Sequence, residues 1–323
     1  MDAPRSPRRT VRFLLALAAI LAALPLGYFL FLHQPPAAAP PPAPVVPAPQ
    51  PQHPVVQQRE LKLEEVNGTV EVRRGNGEWH IAKPGEALRP SDAVRTREGS
   101  YAVLVRGETV EVRMEPGTEV SIEELTDSLS RLMLGNGMTT ALVKPGTRQT
   151  FEVRAAGSDA VARTEGGSFS MSNNGAGTVA VGTHEGEVTF IGQGKVVIVR
   201  AGQQSVIRPG RGPSDPTPIP TSLLLKVNWP ARPTVTRRQW VVSGQTEPGT
   251  HVNVGGKVIP TDEEGHFSET VSLKEGVNTV KVDALSVGGV RQELKRELTV
   301  DTTPPSRVTV DPDMWNDPHS KGQ

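Results

Sequence analysis

From Leu61 onward, short runs of alternating apolar and polar residues follow one another, and Gly, Asn or Pro ends nearly every run. "TVEVRR", "YAVLVRG", "TVEVRM", "EVTFIG" and "KVVIVRA" place β-branched residues at period two, the spacing of half-buried strands. No crossover helices separate them, which argues against a parallel α/β enzyme fold and for an all-β chain, as a sandwich or a solenoid-like stack. One stretch, "SIEELTDSLSRLM" (121–133), spaces Ile122, Leu125, Leu129 and Leu132 near a helical period. We read it as two strands around "TDS". A Pro-Gly phrase recurs at Gly85, Gly117, Gly146 and Gly249, each time between polar residues and the start of a new alternation. Proline presets φ and glycine accepts a positive φ, so the phrase reads as a turn that initiates a strand.

The N-terminus sets the expected location. Arg5, Arg8, Arg9 and Arg12 precede an uncharged run, "FLLALAAILAALPLGYFLFL", from Phe13 to Leu32. As a helix this run spans roughly 30 Å, about one hydrocarbon core. The arginines keep the short tail cytoplasmic and place the rest outside. The alternative is a signal peptide cleaved near "AAA" (37–39), although the run exceeds the usual apolar region of about 7–15 residues. Lysine plus arginine equals aspartate plus glutamate at 35 each, so no overall field favours nucleic acid. Cysteine is absent, which removes disulfides, thiol catalysis and thiolate metal sites.

"PPAAAPPPAPVVPAPQPQHP" (35–54) reads as a polyproline II rod of roughly 60 Å that holds the folded part away from the bilayer. "RPGRGPSDPTPIPT" (208–221) separates two β-rich regions, and the last residues, 301–323, lack the composition of a packed core.

The residues from Val66 to Ile207 resemble a FecR-type periplasmic domain. Gly68, Val70, Val72, Trp79, Gly85, Leu88, Asp92 and Thr96 stand where that family's opening pattern has them. "MEPGTEVSI" (114–122), "ARTEGGSFSM" (162–171), "HEGEVTFIG" (184–192) and "VRAGQQSVI" (199–207) follow its later phrases. The resemblance implies an all-β, solenoid-like stack outside the cytoplasm. Regulators of that family carry a folded cytoplasmic anti-sigma domain before the membrane span, whereas the residues before Phe13 are too few to fold.

Residues 223–300 resemble bacterial Ig-like domains, through Gly244, Pro248, Gly249, Asp262, Gly265, Phe267, Gly276, Asn278 and Val280. Such domains are commonly spacers or adhesion modules. The expected order is a basic cytoplasmic tail (1–12), a transmembrane signal-anchor helix (13–32), a Pro-rich linker (33–57) and a FecR-like β-solenoid or β-sandwich domain (58–208). A second Pro-rich linker (209–221), an Ig-like β-sandwich (222–302) and a disordered tail (303–323) complete it.

No catalytic, cofactor or metal constellation stands out. "IGQGKVV" (191–197) has Gly-Lys but neither the earlier Gly nor the following Ser/Thr of a phosphate-cradling loop. His184-Glu185 reads as a turn and the seven histidines show no ligand spacing. Asp262, Glu263 and Glu264 in "TDEEGHF" could attract calcium, but a solvated hairpin tip explains them better. "GGSFSMSNNGAG" (166–177) reads as a flexible hairpin tip rather than a ligand loop. Asn67-Gly68-Thr69 fits a glycosylation acceptor and, better, a turn. Trp79 and Trp240 are expected as core anchors, and Trp229, beside Pro230, as a residue able to face a partner.

The functional expectation is a non-enzymatic, single-pass inner-membrane protein, held through residues 13–32. Its periplasmic domains would bind another envelope component in a signalling or scaffolding role. The alternatives are a cell-wall glycan-binding module and a regulator acting through a separate cytoplasmic partner.

Overall fold

The computed structural model describes residues 14–21, 25, 28, 29 and 60–303. The expected basic tail, the Pro-rich linker (33–57), the tail beyond Thr303 and much of the expected membrane helix lie outside these residues. Residues 14–21 are helical with exposed side chains. Among the described residues no helix is long and apolar enough to cross a membrane.

Everything from residue 60 to 303 falls in one compact unit and is β structure. Its first module opens with β1 (Leu61–Asn67), β2 (Val70–Arg73), β3 (Trp79–Ile81), β4 (Ala87–Leu88), β5 (Ala93–Thr96), β6 (Tyr101–Arg106), β7 (Val110–Met114) and β8 (Glu119–Leu125). It continues through β9 (Leu129–Val143), β10 (Thr150–Ala155), β11 (Val161–Thr164), β12 (Gly167–Asn173), β13 (Val179–Gly192), β14 (Lys195–Arg200), β15 (Gln203–Ile207) and β16 (Thr217–Pro218).

These strands form two sheets. Sheet I runs β4-β1-β6-β7-β9-β12-β13-β15-β16, antiparallel throughout. Sheet II runs β3-β2-β5-β8-β9-β10-β11-β13-β14, with one parallel pair, β9 with β10. The chain weaves between the sheets, and two long strands belong to both. β9 leaves sheet II for sheet I at Gly137, where φ is 95°, and β13 crosses back at Gly186, where φ is 72°. Only glycine accepts such angles without strain, so these residues let a strand turn a corner without ending. Between the sheets lies one apolar core, with Phe151, Phe169, Phe190, Leu104 and Leu132 fully buried.

The stretch with helical spacing, 121–133, divides into β8 and the start of β9 around Thr126–Ser128, as read from the sequence. Ile122 and Leu132 meet as register partners in the core, and this pairing overrides the local period.

The second module comprises β17 (Leu225–Asn228), β18 (Thr234–Val235), β19 (Gln239–Thr246), β20 (His251–Val254), β21 (Lys257–Ile259), β22 (His266–Ser272), β23 (Gly276–Leu285) and β24 (Arg291–Val300). A three-stranded sheet, β17-β19-β22, shares a core with a five-stranded sheet, β18-β24-β23-β20-β21. Val242 and Phe267 from the first meet Val252, Val280, Val282 and Leu298 from the second. The 209–221 segment between the modules is laid along the edge of sheet I. Thr217 and Pro218 pair with Gln204 and Gln203, and Ile219 N–H donates to Gly202 O at 2.8 Å.

Candidate functional site: the joint and cleft between the two modules

On sheet I the core takes the odd-numbered residues of β12 and the adjoining part of β13, such as Phe169, Met171, Val179 and Val181. The even-numbered residues point outward, and they are small: Ser170, Ser172, Ala180 and Gly182. This platform is not open to water, because both strands are buried on both faces. The turn Ser286–Gly289 of the second module covers it. Val287 packs on Met138 and Ala180, and a Cβ on Gly182 would overlap the Val287 carbonyl oxygen.

Polar stitches surround this apolar contact. Ser172 Oγ donates to Gly249 O at 2.6 Å, Asn174 Nδ2 to Thr261 O at 2.7 Å, and Arg208 Nε to Glu263 O at 3.1 Å. Two Pro-Gly turns take part. Gly249 lies against Ala180, and Gly117 in the first module lies against Val258 in the second. All four phrase glycines have positive φ (82°, 63°, 81° and 78°) and each precedes a strand, so the reading as a strand-initiating turn holds.

Beside the joint opens a polar cleft of about 500 Å3, lined by both modules. Its cations are already engaged. Arg95 and Arg97 both bond Glu71, at 2.7 and 2.6 Å, and Lys257 bonds Glu269 at 2.8 Å. The Arg95 hydrogen bond holds the Glu71 carboxyl below the usual range, outweighing the effect of burial. Two polar atoms on the cleft are covered without a partner, His251 Nε2 and Thr261 Oγ1. Burial pushes the His251 imidazole down to about 4, against the pull of Glu115 and the Pro116 carbonyl. His251 is therefore neutral across the ordinary pH range and sits uncharged where the modules meet. The cleft offers hydrogen-bonding groups and no nucleophile–base pair.

The residues singled out in the sequence fall elsewhere or into structural roles. His184 Nε2 and Ser170 Oγ share a hydrogen bond at 2.9 Å, and Ser170 Oγ reaches Thr140 Oγ1 at 2.8 Å. Burial lowers the His184 pKa. This serine–imidazole pair was not visible in the sequence, but Ser170 is only 2% exposed beneath the second module, so no substrate reaches it. Asp262 and Glu264 come together with His266, all exposed, while Glu263 stands apart. Asp262 accepts from the backbone N–H of Glu264 and His266, at 3.1 and 2.7 Å, which is the work of a turn residue. Lys195 of the Gly-Lys pair is engaged with Asp215 at 2.8 Å.

Four expectations need correction. Residues 166–177 are not a flexible tip: 167–173 form β12, a central strand paired on both sides, and only 174–178 make the turn. Asn173 anchors that turn by donating to the carbonyls of Leu134, Gly135 and Ala156. Trp79 is not a core anchor, because β3 is an edge strand and the ring lies on its outer face. It sits between the guanidinium groups of Arg73 and Arg95, 4.7 and 4.1 Å from the ring centroid. His184-Glu185, read as a turn, lies within β13. Trp229, able from its sequence to face a partner, is partly buried and packs with Trp240 against the second core.

No protein-family model matches the chain, and no curated protein matches it. Among solved structures, two of a candidate anti-sigma factor from Parabacteroides distasonis are similar, at 18% and 17% identity and a TM-score of 0.34 each. Each match covers 38% of this chain and 59% of the other, so the chain spans about three fifths of those proteins' length. Fibronectin(III)-like modules of Clostridium thermocellum CbhA match at 13% identity and a TM-score of 0.22, covering 56% of this chain and 94% of theirs. Likenesses this weak fix neither the fold nor an activity.

Proposed function

We propose that the two β modules act as one non-catalytic binding body, held outside the cytoplasm by the N-terminal segment, that receives another envelope protein in a signalling or scaffolding role. The joint is the observation that carries this reading. Apolar contact at Val287, Met138 and Ala180, together with three inter-module hydrogen bonds, fixes the surfaces of both modules relative to each other. A flexible spacer has no need of such a joint, whereas a receptor surface built from two modules requires it. The FecR-type phrases from Val66 to Ile207 and the Ig-like phrases beyond Leu223 support the same assignment.

The test is in-cell photocrosslinking from exposed positions on both modules, among them Leu142 and Val277. The expected result is a discrete adduct with an envelope protein. Adducts with wall polymer, and co-sedimentation of the purified chain with that polymer, would instead establish glycan binding. A reporter fused after residue 60 should be active outside the cytoplasm, and activity only inside would refute the placement.

A further inference from the structure

Among the open sheet edges of the second module, one on β19 borders a groove. β19 pairs with β22 from Gln239 to Gln245, but on its other side β17 reaches only Ser243–Thr246. Gln239–Val242 therefore turn alternate N–H and C=O groups toward an unpaired edge, the part of a sheet that accepts another strand. A groove of about 510 Å3 lies there, lined by Trp240 and Val241 of β19 and by Pro230, Arg232, Thr234 and Arg237 from the segment before it.

Two features of this groove call for an occupant. Val241 presents an apolar side chain that is 52% exposed. Arg232 and Arg237 are exposed and form no ion pair among the described residues, while the adjacent Arg238 meets Glu275 at 3.3 Å. Arg232 and Arg237 are therefore available to carboxylates of a partner, unlike Arg131 and Arg163, which share Glu152.

We propose that this groove docks an extended acidic segment of a partner protein, which adds as a strand to the free edge of β19. Its main chain pairs with Gln239–Val242, and its carboxylates meet Arg232 and Arg237. A second copy of this chain fits the groove badly. Two-fold pairing of this edge would bring both copies' Arg232 and Arg237 together with no carboxylate between them. The inference rests on the proposed role as a receiver of an envelope protein and names where and by what chemistry the partner is held.

The experiment uses the full chain and a fluorescent octapeptide of alternating Glu and Val, beside a Lys–Val peptide and the Glu–Val peptide N-methylated throughout. The Glu–Val peptide should bind saturably. Combined Arg232→Glu and Arg237→Glu substitution should weaken it by about tenfold or more, with an unchanged thermal melt confirming the fold. The Lys–Val and N-methylated peptides should not bind. Equal binding of the Lys–Val peptide, or no effect of the arginine substitutions, overturns the charge recognition. Equal binding of the N-methylated peptide overturns strand addition. If the Glu–Val peptide binds only after residues 304–323 are removed, the chain's own end is the occupant and the proposal fails. It fails equally if the full chain sediments as a dimer that the arginine substitutions dissociate. Should the peptide fail while photocrosslinking elsewhere on the body still yields an envelope protein, the groove is wrong and the broader role stands.

Discussion

His251 opens β20 in the second module, and its charged neighbours are Glu115 from the first module and Arg291 from β24. Its folded pKa of about 4 lies below the ordinary 6.5, so the native state holds the neutral form. The stabilisation from that burial is complete above pH 6.5 and is lost as the pH falls from 6.5 toward 4, at most about 3 kcal/mol. Melting temperature should therefore fall more steeply between pH 7 and pH 4.5 in the wild type than in His251→Gln, since every other titrating group is common to both. Parallel curves would contradict this. Gly182 gives a second residue-scale prediction. Gly182→Val drives a side chain into the Val287 carbonyl, and calorimetry should show destabilisation of about 1–3 kcal/mol. Single residues were legible where the backbone itself demanded them, as at the four Pro-Gly turns. They were illegible where only neighbours decide. Trp79 looked like a core residue because indole usually is one, and nothing in the local sequence announces that Arg73 and Arg95 flank it on an outer face.

At the scale of strands, β9 and β10 form the parallel pair of the first module, and Glu152 holds it. The carboxylate is 3% exposed and takes Arg131 at 2.7 Å from β9 and Arg163 at 2.8 Å from β11. Burial alone would raise its pKa, but hydrogen bonds from Arg163 and Arg131 outweigh it and lower the value. Glu152→Ala leaves Arg163 unmatched and Arg131 with Glu124 alone, and should cost about 1–3 kcal/mol in denaturant unfolding. A loss near zero would mean the three charges merely coexist. The alternating runs made most strands readable, including the pair hidden in 121–133. β12 escaped because "GSFSMSN" looks polar, glycine-rich and loop-like. Its serines are small so that the second module can approach, and Phe169 and Met171 face the core on the other side. Small residues alternating with apolar ones on adjacent strands, Ser170 and Ser172 beside Ala180 and Gly182, are the trace that a sheet covered on both faces leaves.

For the whole molecule, the change of composition at 209–221 reads as a Pro-rich linker between two β-rich regions. Here the segment bonds along β15 and Ile219 touches Gly288, while the joint itself is made of backbone carbonyls, glycines and short side chains. The local pattern names neither partner of these contacts, which is why two modules could be read and their union could not. That union is the central claim, and the absence of cysteine makes it directly measurable. Spin labels at Asn76→Cys and Thr270→Cys, both exposed and in different modules, report one inter-module distance by pulsed dipolar spectroscopy. A fixed joint gives a single narrow distance distribution at pH 7 that broadens in Gly182→Val; a broad distribution in the otherwise unaltered chain would contradict it.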